Sequence, residues 1–332
     1  MTAGSFGDML AARVDARESQ LVLGLDPDPG TLWPVGDEVE EGSSVGGEAA
    51  SGVASDPTVP GAVDDAASDA AHAAARAVQA HCRALIDAAG PACVAVKPQL
   101  ACFERLGSAG WMALTAVIGH ARAAGLLVIA DGKRGDIDVT ARAYAQALFG
   151  GLETPYGEIA GLGVDMATVN PLMGGDAMEP FVIGARERRA GVLALVRTSN
   201  PGAADIEDLR VLDGGAVWER LAALVDQLGR AGVGESGLSD VGAVVGATVP
   251  GHLARARELM PHAVFLLPGV GAQGGRVEDL APAFAPGRAG ALVSASRSIA
   301  GAYLTDGAGG ADPATAARAE AERLRASAWK LG

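Results

Sequence analysis

Aromatic residues make up only 4% of this 332-residue chain, and cysteine occurs three times, at Cys82, Cys93 and Cys102. An odd number without metal-ligand spacing argues against a disulfide framework and a structural zinc site. The five histidines are scattered. No apolar run reaches the length that spans a bilayer. The opening residues, Met1 to Asp8, lack the basic region and apolar core of a secretory signal. These shortages lead to the expectation of a soluble cytoplasmic protein with no structural metal. Positive charge is also in short supply, since the net charge is −14. Residues 36–70 carry nine acidic side chains and no basic one; outside them 31 acidic residues face 26 basic ones, a balance of −5. A mildly acidic body disfavours nucleic-acid binding through a broad basic face. It still allows a small phosphorylated ligand held by one or two local cations.

What the chain does have is a repeated alternation of apolar strand-like runs with amphipathic or Ala-rich helices. Strands are expected at 21–26, 92–97, 126–131, 164–169, 191–197, 241–247, 263–268 and 290–294. Helices are expected near 68–89, 108–124, 139–150, 175–189, 215–231, 251–260, 276–284 and 313–329. Eight strands, each followed by a helix, predict a single α/β domain over 1–332 with the (β/α)8 TIM-barrel architecture. A doubly wound open sheet is the alternative, because sequence does not show closure. Residues 35–67 break the pattern: they are rich in Gly, Ser, Ala, Asp and Glu, without a helical or strand period. Such a stretch buries too little apolar surface to offset its ordering entropy and reads as a low-complexity acidic insertion after the first strand.

The densest chemistry follows the third strand, in Asp131-Gly132-Lys133-Arg134-Gly135-Asp136-Ile137-Asp138-Val139-Thr140. Carboxylate, ammonium and carboxylate are packed where a strand gives way to a helix, which is where α/β folds place their sites. One bland reading is a solvated turn in which Asp136 or Asp138 caps the helix. Other strand ends also carry polar groups. The first ends Gly24-Leu25-Asp26-Pro27, the second Val96-Lys97-Pro98-Gln99, and the fifth runs into Arg197-Thr198-Ser199-Asn200-Pro201. The seventh leads to the glycine-rich Gly269-Val270-Gly271-Ala272-Gln273-Gly274-Gly275 and the eighth to Ser296-Arg297. In barrels, the loops after strands seven and eight are the usual phosphate site, and an arginine fork beside glycine-rich backbone suits an anion.

The string D-x-K-R-x-D-I-x-x-T, with G-L-D-P and V-K-P-Q upstream, resembles the signature of the orotidine 5'-phosphate decarboxylase family, and its Lys-Arg pair looks like the second, bacterial subgroup. The resemblance implies a decarboxylase that needs no cofactor or metal and converts orotidine 5'-phosphate to UMP. It implies that Lys97, Asp131, Lys133 and Asp136 form a charged network, with Lys133 protonating C6 after carbon dioxide leaves. It further implies Asp26 on the ribose, Ser199 on the base, and Gln273 and Arg297 on the phosphate. Asp136 and Thr140 are expected to reach into the partner's site of a homodimer. Many relatives carry Gly where Ser296 stands, and Asn170 at the end of the fourth strand receives no role. Two rivals are a magnesium-requiring sugar-phosphate decarboxylase or epimerase of the same superfamily, and a non-catalytic nucleotide-binding barrel.

Overall fold

Parallel pairing runs without a break around the main sheet, and the first strand meets the last. The structure is a computed structural model that describes residues 4–33, 65–212, 214–247, 250–270, 274–305 and 311–332. Its barrel strands are β1 (Leu21–Leu25), β2 (Ala95–Pro98), β3 (Leu127–Arg134), β4 (Met166–Val169), β5 (Gly191–Arg197), β6 (Val241–Val245), β7 (Phe265–Leu267) and β8 (Ala291–Ala295). Each pairs with its neighbours in sequence order, and Leu21 registers with Val293 to close the ring. Closure removes the doubly wound alternative. The principal helices are α1 (Phe6–Arg17), α2 (Asp65–Ala89), α3 (Gly107–Ala123), α4 (Asp138–Phe149), α5 (Gly175–Glu187), α6 (Val217–Gly229), α7 (Pro250–Leu259) and α8 (Pro313–Trp329).

Strand alternation explains how the barrel is filled. Leu21, Leu23 and Leu25, with Val96, Val128, Ala130, Ala167 and Val169, point outward into the layer between sheet and helices. Val22, Ala95, Ile129, Met166, Leu193, Val244, Leu266 and Leu292 belong instead to a second apolar cluster, the barrel interior. Gly242 shares this inward parity; a Cβ there would lie 2.3 Å from the Val264 carbonyl oxygen and 2.8 Å from Leu193. The glycine in the sixth strand is therefore a packing requirement.

The N-terminal mouth of the barrel is plugged by α1, an element not expected from the sequence. Ser5 and Asp8 form a reciprocal capping box: the Asp8 N–H donates to Ser5 Oγ (3.2 Å) and the Ser5 N–H to Asp8 Oδ2 (3.1 Å). Asp8 also accepts the Ser236 N–H at 2.7 Å. That bond holds its carboxyl at about 2, below the usual range. Phe6, Leu10 and Val14, at four-residue spacing, project from one helix face into the interior cluster.

Three further boundaries differ from expectation. Helix α2 begins at Asp65, so residues 65–67 belong to it and not to the acidic stretch; residues 34–64 lie outside the described residues. Val277–Phe284 is a 3-10 helix, in keeping with Pro282 inside it, which has no N–H to give an α-helical ladder. Leu152–Thr154 and Gly157–Ile159 form a small antiparallel hairpin between α4 and β4.

Leu10 is fully buried. Leu10→Ala is expected to lower the urea-unfolding free energy by about 2–5 kcal/mol through lost burial and a residual cavity. Turnover should stay near wild type, because the helix lies at the opposite end from the polar strand ends. Unchanged stability would contradict the plug.

Candidate active site

The inward parity that fills the interior continues along the strands to the C-terminal mouth, where it brings polar groups together. Gly24, Lys97, Asp131 and Thr168 each stand two residues beyond an inward apolar residue: Val22, Ala95, Ile129 and Met166. Gly24 registers with Lys97 across β1 and β2. A Cβ on Gly24 would come within 2.5 Å of the Ser296 Cβ, so only glycine fits beside that neighbour.

Asp131 is the hub. Its Oδ2 accepts from Lys97 Nζ at 2.6 Å and Gln99 Nε2 at 3.3 Å. Its Oδ1 accepts from Lys133 Nζ at 2.6 Å and Thr168 Oγ1 at 2.9 Å. The carboxylate is thus saturated with donors. Burial pushes its pKa up, but Lys97 and Lys133 outweigh that and hold it at about 2. Burial likewise pulls Lys97 down, yet Asp131 and the more distant Asp26 more than reverse this, and its pKa is raised. The two lysines differ in access: the Lys97 side chain is 9% exposed and that of Lys133 46%. One ammonium is structural counter-charge, and the other faces the mouth.

The local backbone creates this arrangement by departing from regular strand geometry. Ala130 registers with Ala167 and Arg134 with Val169, so residues 131–133 stand opposite Thr168 alone. Such a bulge re-aims side chains next to a site. Lys133 has φ 48°, in the left-handed region, a strain on the order of 1–2 kcal/mol for a residue with a Cβ. Its N–H donates to Thr168 Oγ1 at 2.9 Å. Beyond the bulge, Arg134 pairs with Glu104 and lies over the Tyr144 ring, 5.6 Å from its centroid.

The structure therefore unites Lys97, Asp131 and Lys133, and adds Gln99 and Thr168, to which sequence reasoning gave no role. The other residues singled out in the sequence stand around this cluster. Asp26 is exposed just past β1. Ser199 follows β5 and packs against Gly246, where a Cβ would lie 2.9 Å from the Ser199 Cα. Arg197 is buried and held in a two-bond fork by Asp208, at 2.8 and 2.9 Å. Arg297 is exposed at the start of a one-turn helix, Arg297–Ala300, that follows β8. Gln273 lies outside the described residues. Asp136 stays apart from the cluster: its Oδ1 accepts the Ile137 N–H at 2.8 Å. Thr140 is exposed on the first turn of α4. Neither Asp136 nor Asp138 caps that helix with its side chain, the N-cap being Ile137. Asn170 Oδ1 accepts the Leu172 N–H at 3.0 Å, a local turn bond.

A closed parallel barrel with an ionised carboxylate between two ammoniums at its C-terminal mouth defines the class: a barrel enzyme for a small charged substrate. The model of the Orotidine 5'-phosphate decarboxylase / HUMPS family matches residues 45–312, and the chain belongs to that family. Among curated relatives, Orotidine 5'-phosphate decarboxylase of Rhodopirellula baltica is 46% identical over 67% of this chain and 72% of its own length. The protein of the same name from Deinococcus radiodurans is 48% identical over 65% of this chain and 74% of its own. Among solved structures, Leishmania donovani OMP decarboxylase superposes with TM-score 0.66 at 30% identity, covering 98% of this chain and 99% of that one.

The depressed Asp131 pKa has a defined stability consequence. Its folded value, about 2, lies below the ordinary 3.8. The contribution is therefore present above pH 3.8 and is lost as the pH falls towards 2, with a size on the order of 2 kcal/mol. In urea unfolding, the stability gap between wild type and Asp131→Asn is expected to shrink as the pH falls from about 4 to 2.5, through the range in which the wild-type carboxylate is protonated. A gap that stays level throughout would contradict the charged network.

Proposed function

We propose that this chain decarboxylates orotidine 5'-phosphate to UMP and carbon dioxide, the carboxy-lyase step of pyrimidine nucleotide synthesis. The observation that carries the reading is Asp131, buried and ionised, 2.6 Å from each of two ammoniums. Loss of carbon dioxide from C6 leaves an electron pair on a ring carbon with no obvious sink. A fixed ammonium beside that carbon stabilises the developing charge and then supplies the proton. Lys133 suits the task because its Nζ is the more accessible of the two and is already oriented by Asp131. Lys97 and Asp131 set the field in which it works, with no cofactor or metal taking part.

The remaining roles are those that the family resemblance implies. Asp26 accepts from the ribose hydroxyls, Ser199 bonds the pyrimidine, and Arg297, with Gln273, grips the phosphate beside the glycine-rich loop. Asp136 and Thr140 serve the partner's site in a homodimer. Two observations support that assignment. Among the described residues, Asp136 makes only a local bond. Ile137, Val139, Leu172 and Met173, exposed at 55%, 73%, 67% and 47%, present apolar surface beside it. Gly135 brings these two segments together, a Cβ there lying 3.3 Å from the Met173 Cε. The residues form one domain with the acidic stretch as an insertion, and the working compartment is the cytoplasm. No helix among the described residues is long and apolar enough to cross a membrane.

An ultraviolet assay with orotidine 5'-phosphate tests the activity. Turnover should persist in excess EDTA, and Lys133→Ala should reduce it by roughly 10³-fold or more with the fold intact. Loss of activity on chelation favours a magnesium-dependent sugar-phosphate enzyme, and UMP binding without turnover a non-catalytic barrel. Mixing Lys133→Ala with Asp136→Ala subunits tests the shared site. A one-to-one mixture should recover about a quarter of wild-type activity, since half the dimers carry one intact site. No recovery would contradict sharing.

A further inference from the structure

We propose that Thr168 is a positioning residue for the proton-donating lysine, acting as a two-way clamp across the β3 bulge. The inference rests on the reading that Lys133 delivers the proton. Thr168 is 1% exposed and is the single residue of β4 opposite the three residues 131–133. Its hydroxyl donates to Asp131 Oδ1 at 2.9 Å and accepts the Lys133 N–H at 2.9 Å. The same Oδ1 accepts from Lys133 Nζ at 2.6 Å. The contacts close into a ring in which one hydroxyl holds both ends of Lys133, its backbone directly and its ammonium through Asp131.

A hydroxyl has one proton to give. Here it goes to the carboxylate, and a lone pair receives the N–H, so both directions of the bond are set by the cluster. The clamp matters because Lys133 lies in the left-handed region at φ 48°, which a residue with a Cβ leaves readily unless its surroundings hold it. Valine has the same branched shape without the donor and acceptor. In its place the Lys133 N–H loses its partner, and Asp131 keeps three donors instead of four. Serine retains both bonds and loses only a methyl group. Thr168 makes none of the ribose, base or phosphate contacts proposed above, so its removal should change the chemical step and leave binding nearly untouched.

The test compares Thr168→Val, Thr168→Ser and Lys133→Ala with wild type by steady-state kinetics, UMP binding and circular dichroism. Thr168→Val should lower kcat roughly 10- to 100-fold, with KM and the UMP Kd within about threefold. Thr168→Ser should stay within about threefold of wild type in all three quantities. The acidic limb of the kcat–pH profile should move to higher pH in the Val variant, because the ionised carboxyl has lost a hydrogen bond. Should the Val variant not fold, Thr168→Ala, also without the hydroxyl, is held to the same kinetic and pH criteria. A folded Val or Ala variant within about twofold of wild-type kcat overturns the clamp. So does an equal loss of kcat in Thr168→Ser, or a loss confined to KM. Lys133→Ala separates the two layers. If it is inactive while the hydroxyl-free variant turns over normally, only the clamp fails; if it turns over normally, the reading of Lys133 fails first.

Discussion

A carboxylate buried beneath the barrel mouth, with an ammonium on either side, is the constraint around which the site is organised. Burial on its own would push Asp131 towards its neutral form and Lys97 towards its uncharged one. Together each keeps the other ionised, and the local backbone is arranged accordingly. Gly24 leaves room beside Ser296, in register with Lys97. The β3 bulge turns Lys133 back on Asp131, and Thr168 and Gln99 fill the remaining acceptor positions. The paired charges and the donors around them hold one another in a fixed arrangement, which is what electrostatic preorganisation requires.

This arrangement also assigns unequal parts to two chemically identical side chains. Lys97 is enclosed and acts as fixed counter-charge; Lys133 is half open and strained, with its Nζ at the mouth. Local strain and imperfect strand geometry are common where a fold trades regularity for a positioned reactive group. The opposite end of the barrel is closed by apolar packing. There α1 seals the interior with Phe6, Leu10 and Val14, and its capping box is complete. An apolar plug closes one mouth, and the paired charges stand at the other.

Much of this was legible in the sequence, for physical reasons that can be traced. Eight buried parallel strands read as apolar runs because both faces are covered, and all eight appear within a few residues of their expected positions. Asp131, Lys133 and Lys97 were legible because charge at the end of such a run is conspicuous. Helix α1 was missed because its apolar face is only three residues wide. Thr168 was missed because a threonine next to the last residue of a strand has no distinctive pattern; its proposed role depends on a bulge, a relation between two strands. Asp136 and Thr140 are found outside the cluster of their own chain, so the packing of a single barrel does not give them a function. One signal was present and went unread: the chain has three lysines, Lys97, Lys133 and Lys330, and two of them stand on Asp131.

That scarcity provides a direct probe of the network. With three lysines, labelling by 15N-lysine gives three Nζ resonances, which single Lys→Arg variants assign. The account predicts that Lys97 stays protonated above the ordinary lysine value of 10.5 in the free protein, and that Asp131→Asn drops it below that value. A Lys97 resonance titrating below 10.5 in the wild-type protein would mean that burial overrides the paired charges, and would contradict the account.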